Sequence, residues 1–132
     1  MTQRERQWQP VQLGSDVPSP AGAYSPAARA GGFLFLSGQV PRDPVSGEMV
    51  GDDIESQTTQ VMANVKRALE SAGATLSDIV SVTVYLADDD DWARFNATYK
   101  ALMPTPYPTR TAVGAGLRDF LIEVTVVAYV GA

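Results

Sequence analysis

The sequence predicts an α+β domain in which two helices pack on one face of a single mixed β-sheet. Three observations carry this expectation. Apolar residues recur at helical spacing over 54–72 and again over 92–102. Apolar and β-branched runs of strand length occur at 33–36, 79–86, from 110 onward, and at 121–130. Their order, strand, helix, strand, helix, strand, strand, cannot be wound as a regular repeat of βα units and implies a layer of helices on a mixed sheet.

Each element has a local reason. Residues 1–20 are polar and rich in Pro and Gly, including Gly14, Pro18 and Pro20, and read as an arm with at most a short strand around Trp8 to Leu13. The domain is expected to span 21–132. Ala28 to Gly32 reads as a turn with two adjacent glycines ahead of Phe33-Leu34-Phe35-Leu36, and Pro41 to Gly51 reads as a loop turning at Pro44 and Gly47. Asp52 and Asp53 offer an N-cap to a helix that carries Ile54, Val61, Met62, Val65, Leu69 and Ala72 on one face, and Gly73 ends it. Thr75 to Asp78 is expected to form a single capped turn. In the strand Ile79 to Leu86, Val80, Val82, Val84 and Leu86 form a fully apolar face, whereas the other face is mixed. Asp88 to Asp91 precede Trp92, Phe95, Tyr99 and Leu102, the stripe of a second helix halted by Pro104.

The last strand raises a question of cover. Two helices shield one sheet face, yet Leu121, Val127 and Tyr129 make the other face apolar as well, and a second copy of the chain is the simplest cover.

Composition removes much chemistry. With 132 residues and neither cysteine nor histidine, the chain has no thiolate nucleophile, imidazole base, disulfide or common zinc site. A net charge of −5 with scattered basic residues is a poor footprint for nucleic acid. No apolar run is long enough to span a membrane, and the first residues lack the apolar core of a signal peptide, so a cytoplasmic protein is expected. Four consecutive aspartates invite a metal, but a solvated helix N-terminus accounts for them, and no metal or cofactor is expected.

A few residues ask for more. Arg110 stands at the mouth of a strand after Pro106 and Pro108, where an unpaired charge is costly to bury. Arg110 and Glu123 fall on C-terminal strand segments read as neighbours, and either form an ion pair or share a site. Tyr24 is either a packed aromatic anchoring the arm or part of a site. Ser37-Gly38-Gln39 is a plain turn or a polar floor, and the Asn96 amide in an apolar stripe needs hydrogen-bond partners.

These pieces together resemble one family. The segments are Gly22-x-Tyr24-Ser25, Phe35-x-Ser37-Gly38-Gln39-x-Pro41-x-x-Pro44-x-x-Gly47-Glu48, Gln57 with Asn64, Leu69-x-x-Ala72-Gly73, Asn96-x-x-Tyr99, Pro108-x-Arg110-Thr111 and Glu123-Val124. Over residues 20–130 the chain resembles the Rid (YjgF) family of reactive-intermediate deaminases. The resemblance implies a chorismate-mutase-like fold, a homotrimer with its sheets facing inward, and a cleft at each subunit interface.

It also implies a chemistry. Arg110 would bind the carboxylate of a small 2-imino or enamine acid, Glu123 would position water and relay protons, and Tyr24, Ser37, Gly38, Asn96 and Ala112 would shape the pocket. An imine carbon is already electrophilic, so a held substrate and a placed water suffice. Ammonia leaves and a 2-oxo acid remains. The chain departs from the family pattern at Ala23, Pro26, Thr109 and Ala112, the last where a cysteine is common; these positions bear on substrate identity. A trimeric carboxylate-binding protein without turnover is the competing expectation, and the acidic charge and absent histidine argue against ribonuclease action.

Overall fold

A computed structural model of the chain describes residues 4–131. Residues 1–3 of the arm and the terminal Ala132 lie outside them.

Six strands form one mixed sheet: β1 (Gln9–Val11), β2 (Ala27–Ala30), β3 (Phe33–Leu36), β4 (Ile79–Leu86), β5 (Thr109–Gly114) and β6 (Ile122–Tyr129). Their order across the sheet is β1-β2-β3-β6-β4-β5, and only β4 and β5 run parallel. A crossover is therefore needed between β4 and β5, and helix α2 (Trp92–Leu102) supplies it. Helix α1 (Ile54–Ser71) connects β3 to β4 and packs beside α2, so both helices lie on one face as the sequence predicts.

Helix α1 forms where its signals indicate. The Asp53 side chain accepts from the Ser56 backbone N–H at 2.7 Å, which satisfies one of the free amides of the first turn. Gly73 follows at a positive φ of 88°, a conformation that glycine adopts without a Cβ clash. Val61, Val65, Ala68 and Leu69 are completely buried against Leu34, Val84, Val124 and Ala128 of the sheet's inner face. Each of the valine and leucine side chains among them stabilises the fold by roughly 1.5 to 3 kcal/mol, and each alanine by less.

Two local expectations need correction. Residues 27–30 are not part of a turn: they pair with β3 as strand β2, and the reversal is confined to Gly31-Gly32. The glycines supply the turn, but the small residues before them fit a strand whose outer neighbour is the short β1. Val80 does not join the apolar face of β4. A register shift between Ile79 and Ser81 reverses the alternation there, so Ile79 is buried and Val80 exposed.

The face away from the helices remains apolar in patches. Phe33, Phe35 and Tyr129 are each nearly half exposed, and Phe33 and Tyr129 meet edge to face with ring centroids 5.0 Å apart.

Candidate active site

Arg110 owes its position to β5. Parallel pairing sets Arg110 opposite Val82, which is buried on the helix side, so Arg110 projects from that same face at the outer edge of the sheet. There it meets α2. Its Nη1 donates to Asn96 Oδ1 at 2.8 Å, and its guanidinium carbon lies 4.8 Å from the Tyr99 ring centroid, 5.3 Å from Phe95 and 5.6 Å from Trp92. Three aromatic faces stabilise a half-buried cation electrostatically, at about 0.5 to 2 kcal/mol for a good contact. None of them neutralises it.

No carboxylate does so either. Among the described residues the ion pairs are Arg94 with Glu55 and Arg94 with Asp91, and Arg110 takes part in neither. It opens instead on a pocket of about 440 Å³ lined by Asn96, Tyr99, Lys100, Tyr107, Pro108 and Arg110. Two cations and no anion line this space, which suits a small carboxylate bound through the guanidinium fork. The Tyr99 hydroxyl is buried without a hydrogen-bond partner, and burial pushes its pKa above the usual 10, an effect that the Arg110 charge partly opposes.

Glu123 belongs to a different place. It sits on β6 opposite Tyr85, between the buried Ile122 and Val124, and so projects from the face away from the helices. The reading of Arg110 and Glu123 as neighbours is wrong: β4 separates their strands, and the two side chains leave opposite faces of the sheet. Two inter-strand steps alone place their backbones about 10 Å apart. The sequence reading fails because β5, although next to β6 in the chain, pairs with the far edge of β4 rather than forming a hairpin with β6.

The Ser37-Gly38-Gln39 segment converges on Glu123. Gln39 and Val124 exchange two backbone hydrogen bonds, N–H to O at 2.8 and 3.0 Å, which lays Gly38 over the Glu123 side chain. A Cβ at Gly38 would overlap Oε2 of Glu123 and come within 3.1 Å of its carboxyl carbon, so a glycine is what lets the carboxylate lie there. Ser37 secures the segment that carries Tyr24: its Oγ donates to Ser25 O at 2.7 Å and its N–H to Pro26 O at 3.0 Å. Tyr24 itself is 54% exposed.

The sequence-derived residues therefore form two groups. Arg110, Asn96 and Ala112 lie on the helix side at the β5 edge, with Ala112 two positions along from Arg110 and packed on the core. Tyr24, Ser37, Gly38 and Glu123 form the second group beyond the end of β3.

Residues 14–130 match the family described as Endoribonuclease L-PSP. A RutC family protein of Pyrococcus horikoshii is 46% identical over 116 residues, covering 86% of this chain and 92% of its own length. The chain belongs to the RidA/YjgF family. The crystal structure of the YjgF gene product of Escherichia coli is 33% identical with a TM-score of 0.82, covering 89% of this chain and 95% of that one. The Escherichia coli protein TdcF, crystallised with bound serine, is 30% identical with a TM-score of 0.81, covering 89% and 96%. At the level of the RidA/YjgF family the activity is the handling of reactive intermediates by deamination.

Within this RidA/YjgF chain the sequence reading missed the walls of the Arg110 pocket. Of the residues lining that pocket the sequence reading named Asn96 and Arg110 as site residues but not Lys100, Tyr107 or Tyr99, the last of which it read as part of the stripe of the second helix. In that stripe Phe95 and Tyr99 are buried and Trp92 is exposed. Asp88, Asp89 and Asp90 bring carboxylate oxygens within 4.8 Å of one another, all exposed, and the Asp88 side chain accepts from the Asp90 N–H as a cap. No helix among the described residues is long and apolar enough to cross a membrane.

Proposed function

We propose that this protein is a cofactor-independent deaminase that hydrolyses small 2-imino and enamine acids, of the 2-aminoacrylate type, to 2-oxo acids and ammonia. The observation that carries the reading is Arg110, a half-buried guanidinium held by an amide and three aromatic rings, facing a pocket without any carboxylate. Its fork binds the substrate carboxylate. Glu123 holds a water against the imine carbon and takes its proton. Glu123 passes that proton to the imine nitrogen as the C–O bond forms. When the resulting carbinolamine collapses, its hydroxyl proton moves through the same carboxylate to the amine nitrogen, the C–N bond breaks, and ammonia and the 2-oxo acid leave.

The two groups of residues act together across a subunit interface in a homotrimer. What supports this is the opposition of Arg110 and Glu123 across the sheet: one small substrate touches both only if two chains contribute. The exposed Phe33, Phe35 and Tyr129 give such an assembly an apolar face to bury.

A binding protein without turnover is the second reading, favoured by a single observation: no chain brings Arg110 and its own Glu123 together. Feeding the purified protein with enzymatically generated 2-aminoacrylate separates the two. Accelerated release of keto acid over the buffer rate supports the deaminase, and an unchanged rate with tight pyruvate binding supports the binding protein.

A further inference from the structure

A second cleft, of about 180 Å³, lies between the arm, the 37–44 loop and helix α1. Tyr24, Ser37 and Gly38 line one side, and Arg42, Asn64 and Arg67 line the other. No Asp or Glu lines it.

The two arginines are fixed but not neutralised. Asn64 is nearly buried and organises both: its Nδ2 donates to Val40 O at 2.9 Å and to Arg42 O at 2.8 Å, and its Oδ1 accepts from Arg67 Nη1 at 3.0 Å. Arg42 Nη1 donates to Gly47 O. Among the described residues neither guanidinium forms an ion pair, and the Nε and Nη2 donors of both have no protein acceptor. Asp43 is the acid whose charge feels Arg67, and its Oδ1 is already occupied by the backbone N–H groups of Val45 and Ser46. A guanidinium with one edge tethered and the Nε/Nη2 edge open is arranged for a carboxylate.

We infer that this cleft is a subsite for a second carboxylate, so the preferred substrates are dicarboxylic 2-imino acids. The inference rests on the deaminase reading, because Gly38 lines the cleft and also lies directly against the Glu123 carboxylate of β6, so the cleft adjoins the group assigned to hold the attacking water. A carboxylate fits better than a phosphate. The two oxygens of a carboxylate match the open Nε/Nη2 edge of one arginine, and the prolines that line much of the rest of the cleft offer no backbone N–H.

The test compares two probes, pyruvate and 2-oxoglutarate, by calorimetry on the full chain as wild type, Arg42→Gln, Arg67→Gln and Arg110→Ala. The wild type is expected to bind 2-oxoglutarate about tenfold more tightly than pyruvate, as one added charge-assisted contact allows. Arg67→Gln, and more weakly Arg42→Gln, removes that preference while leaving pyruvate affinity and melting temperature unchanged. Equal wild-type affinities overturn the inference, and so does a preference that survives both substitutions. Loss of pyruvate affinity together with a fall in melting temperature in Arg67→Gln also overturns it, because the arginine is then structural. The Arg110→Ala arm reports on the underlying reading separately: retained pyruvate binding there defeats the role of Arg110 whatever the other two variants do.

Discussion

Arg94 and Arg110 lie on opposite sides of the same helix neighbourhood and are treated in contrary ways. Arg94, exposed at the seam between α1 and α2, is given a carboxylate in full: Nε and Nη2 donate to the two oxygens of Glu55 at 2.8 and 2.6 Å. Arg110, far less accessible, receives an amide oxygen and three aromatic faces. Solvation explains why the first arrangement is cheap, since a charge in water needs little help. It makes the second informative. A half-buried cation left without an anion costs stability unless something else supplies one, and the pocket before Arg110 is where a ligand carboxylate does so.

The contrast breaks most sharply at the chemistry. Glu123→Gln keeps the volume and can still hydrogen-bond a water but accepts no proton, so turnover should fall by about 10² to 10⁴ while pyruvate affinity holds. Steady-state kinetics beside calorimetry reads both, and a joint loss of affinity and melting temperature with turnover preserved would assign Glu123 a structural role.

Arg110→Ala comes next. Loss of a charge-assisted contact worth about 1.5 to 3 kcal/mol predicts a tenfold to hundredfold drop in pyruvate affinity. Lysine restores part of it at most, lacking the planar fork. No protein carboxylate loses its partner, so the melting temperature should fall only by what the Asn96 hydrogen bond and the aromatic contacts supply, offset by removal of a half-buried charge without an anion.

Gly38→Ala sharpens the other half of the site. The new Cβ displaces the tip of a flexible side chain rather than backbone, so stability changes little, but the Glu123 carboxylate must swing away. Turnover should drop at least about tenfold through misplacement. Full activity in this variant would show that the carboxylate position is unimportant.

Arg94→Ala should do least. Ligand affinity and the melting temperature at pH 7 stay close to wild type. The effect appears in acid: the hydrogen bonds from Arg94 hold the Glu55 carboxyl below its usual 4.5, so their stabilisation is present above that pH and is lost as pH falls through the lowered folded value. Melting curves of the variant should lose stability less steeply below about pH 4.5 than wild type, with Asp53, lowered by its cap to Ser56, retaining a slope of its own.

Legibility in the sequence followed the range of the interactions. Helix α1 could be read almost to the residue because its cap at Asp53, its stripe and Gly73 are local signals. Asn96 was legible as an amide in want of a partner, and Arg110 as a charge in want of one; the structure joins them. The relation of Arg110 to Glu123 was not legible, because strand pairing order is a tertiary choice that no spacing along 110–123 records. Val80 was lost for a similar reason, since a bulge changes the face of one residue without changing its chemistry. The Arg42 and Arg67 cleft depends on Asn64 bridging a loop to a helix, a contact spanning 22 to 24 residues of chain.

The central claim, that Arg110 and Glu123 serve one substrate from different chains, has a direct test. Arg110→Ala and Glu123→Gln are each purified, shown to be inactive, then unfolded together in equal amounts and refolded. In a symmetric assembly with each cleft built from two chains, random mixing gives about a quarter of the clefts an intact arginine from one chain and an intact glutamate from the other. The account predicts recovery of about a quarter of wild-type activity. If each chain held a complete site of its own, no cleft in the mixture would carry both groups, and activity that stays at the level of the separate variants would contradict it.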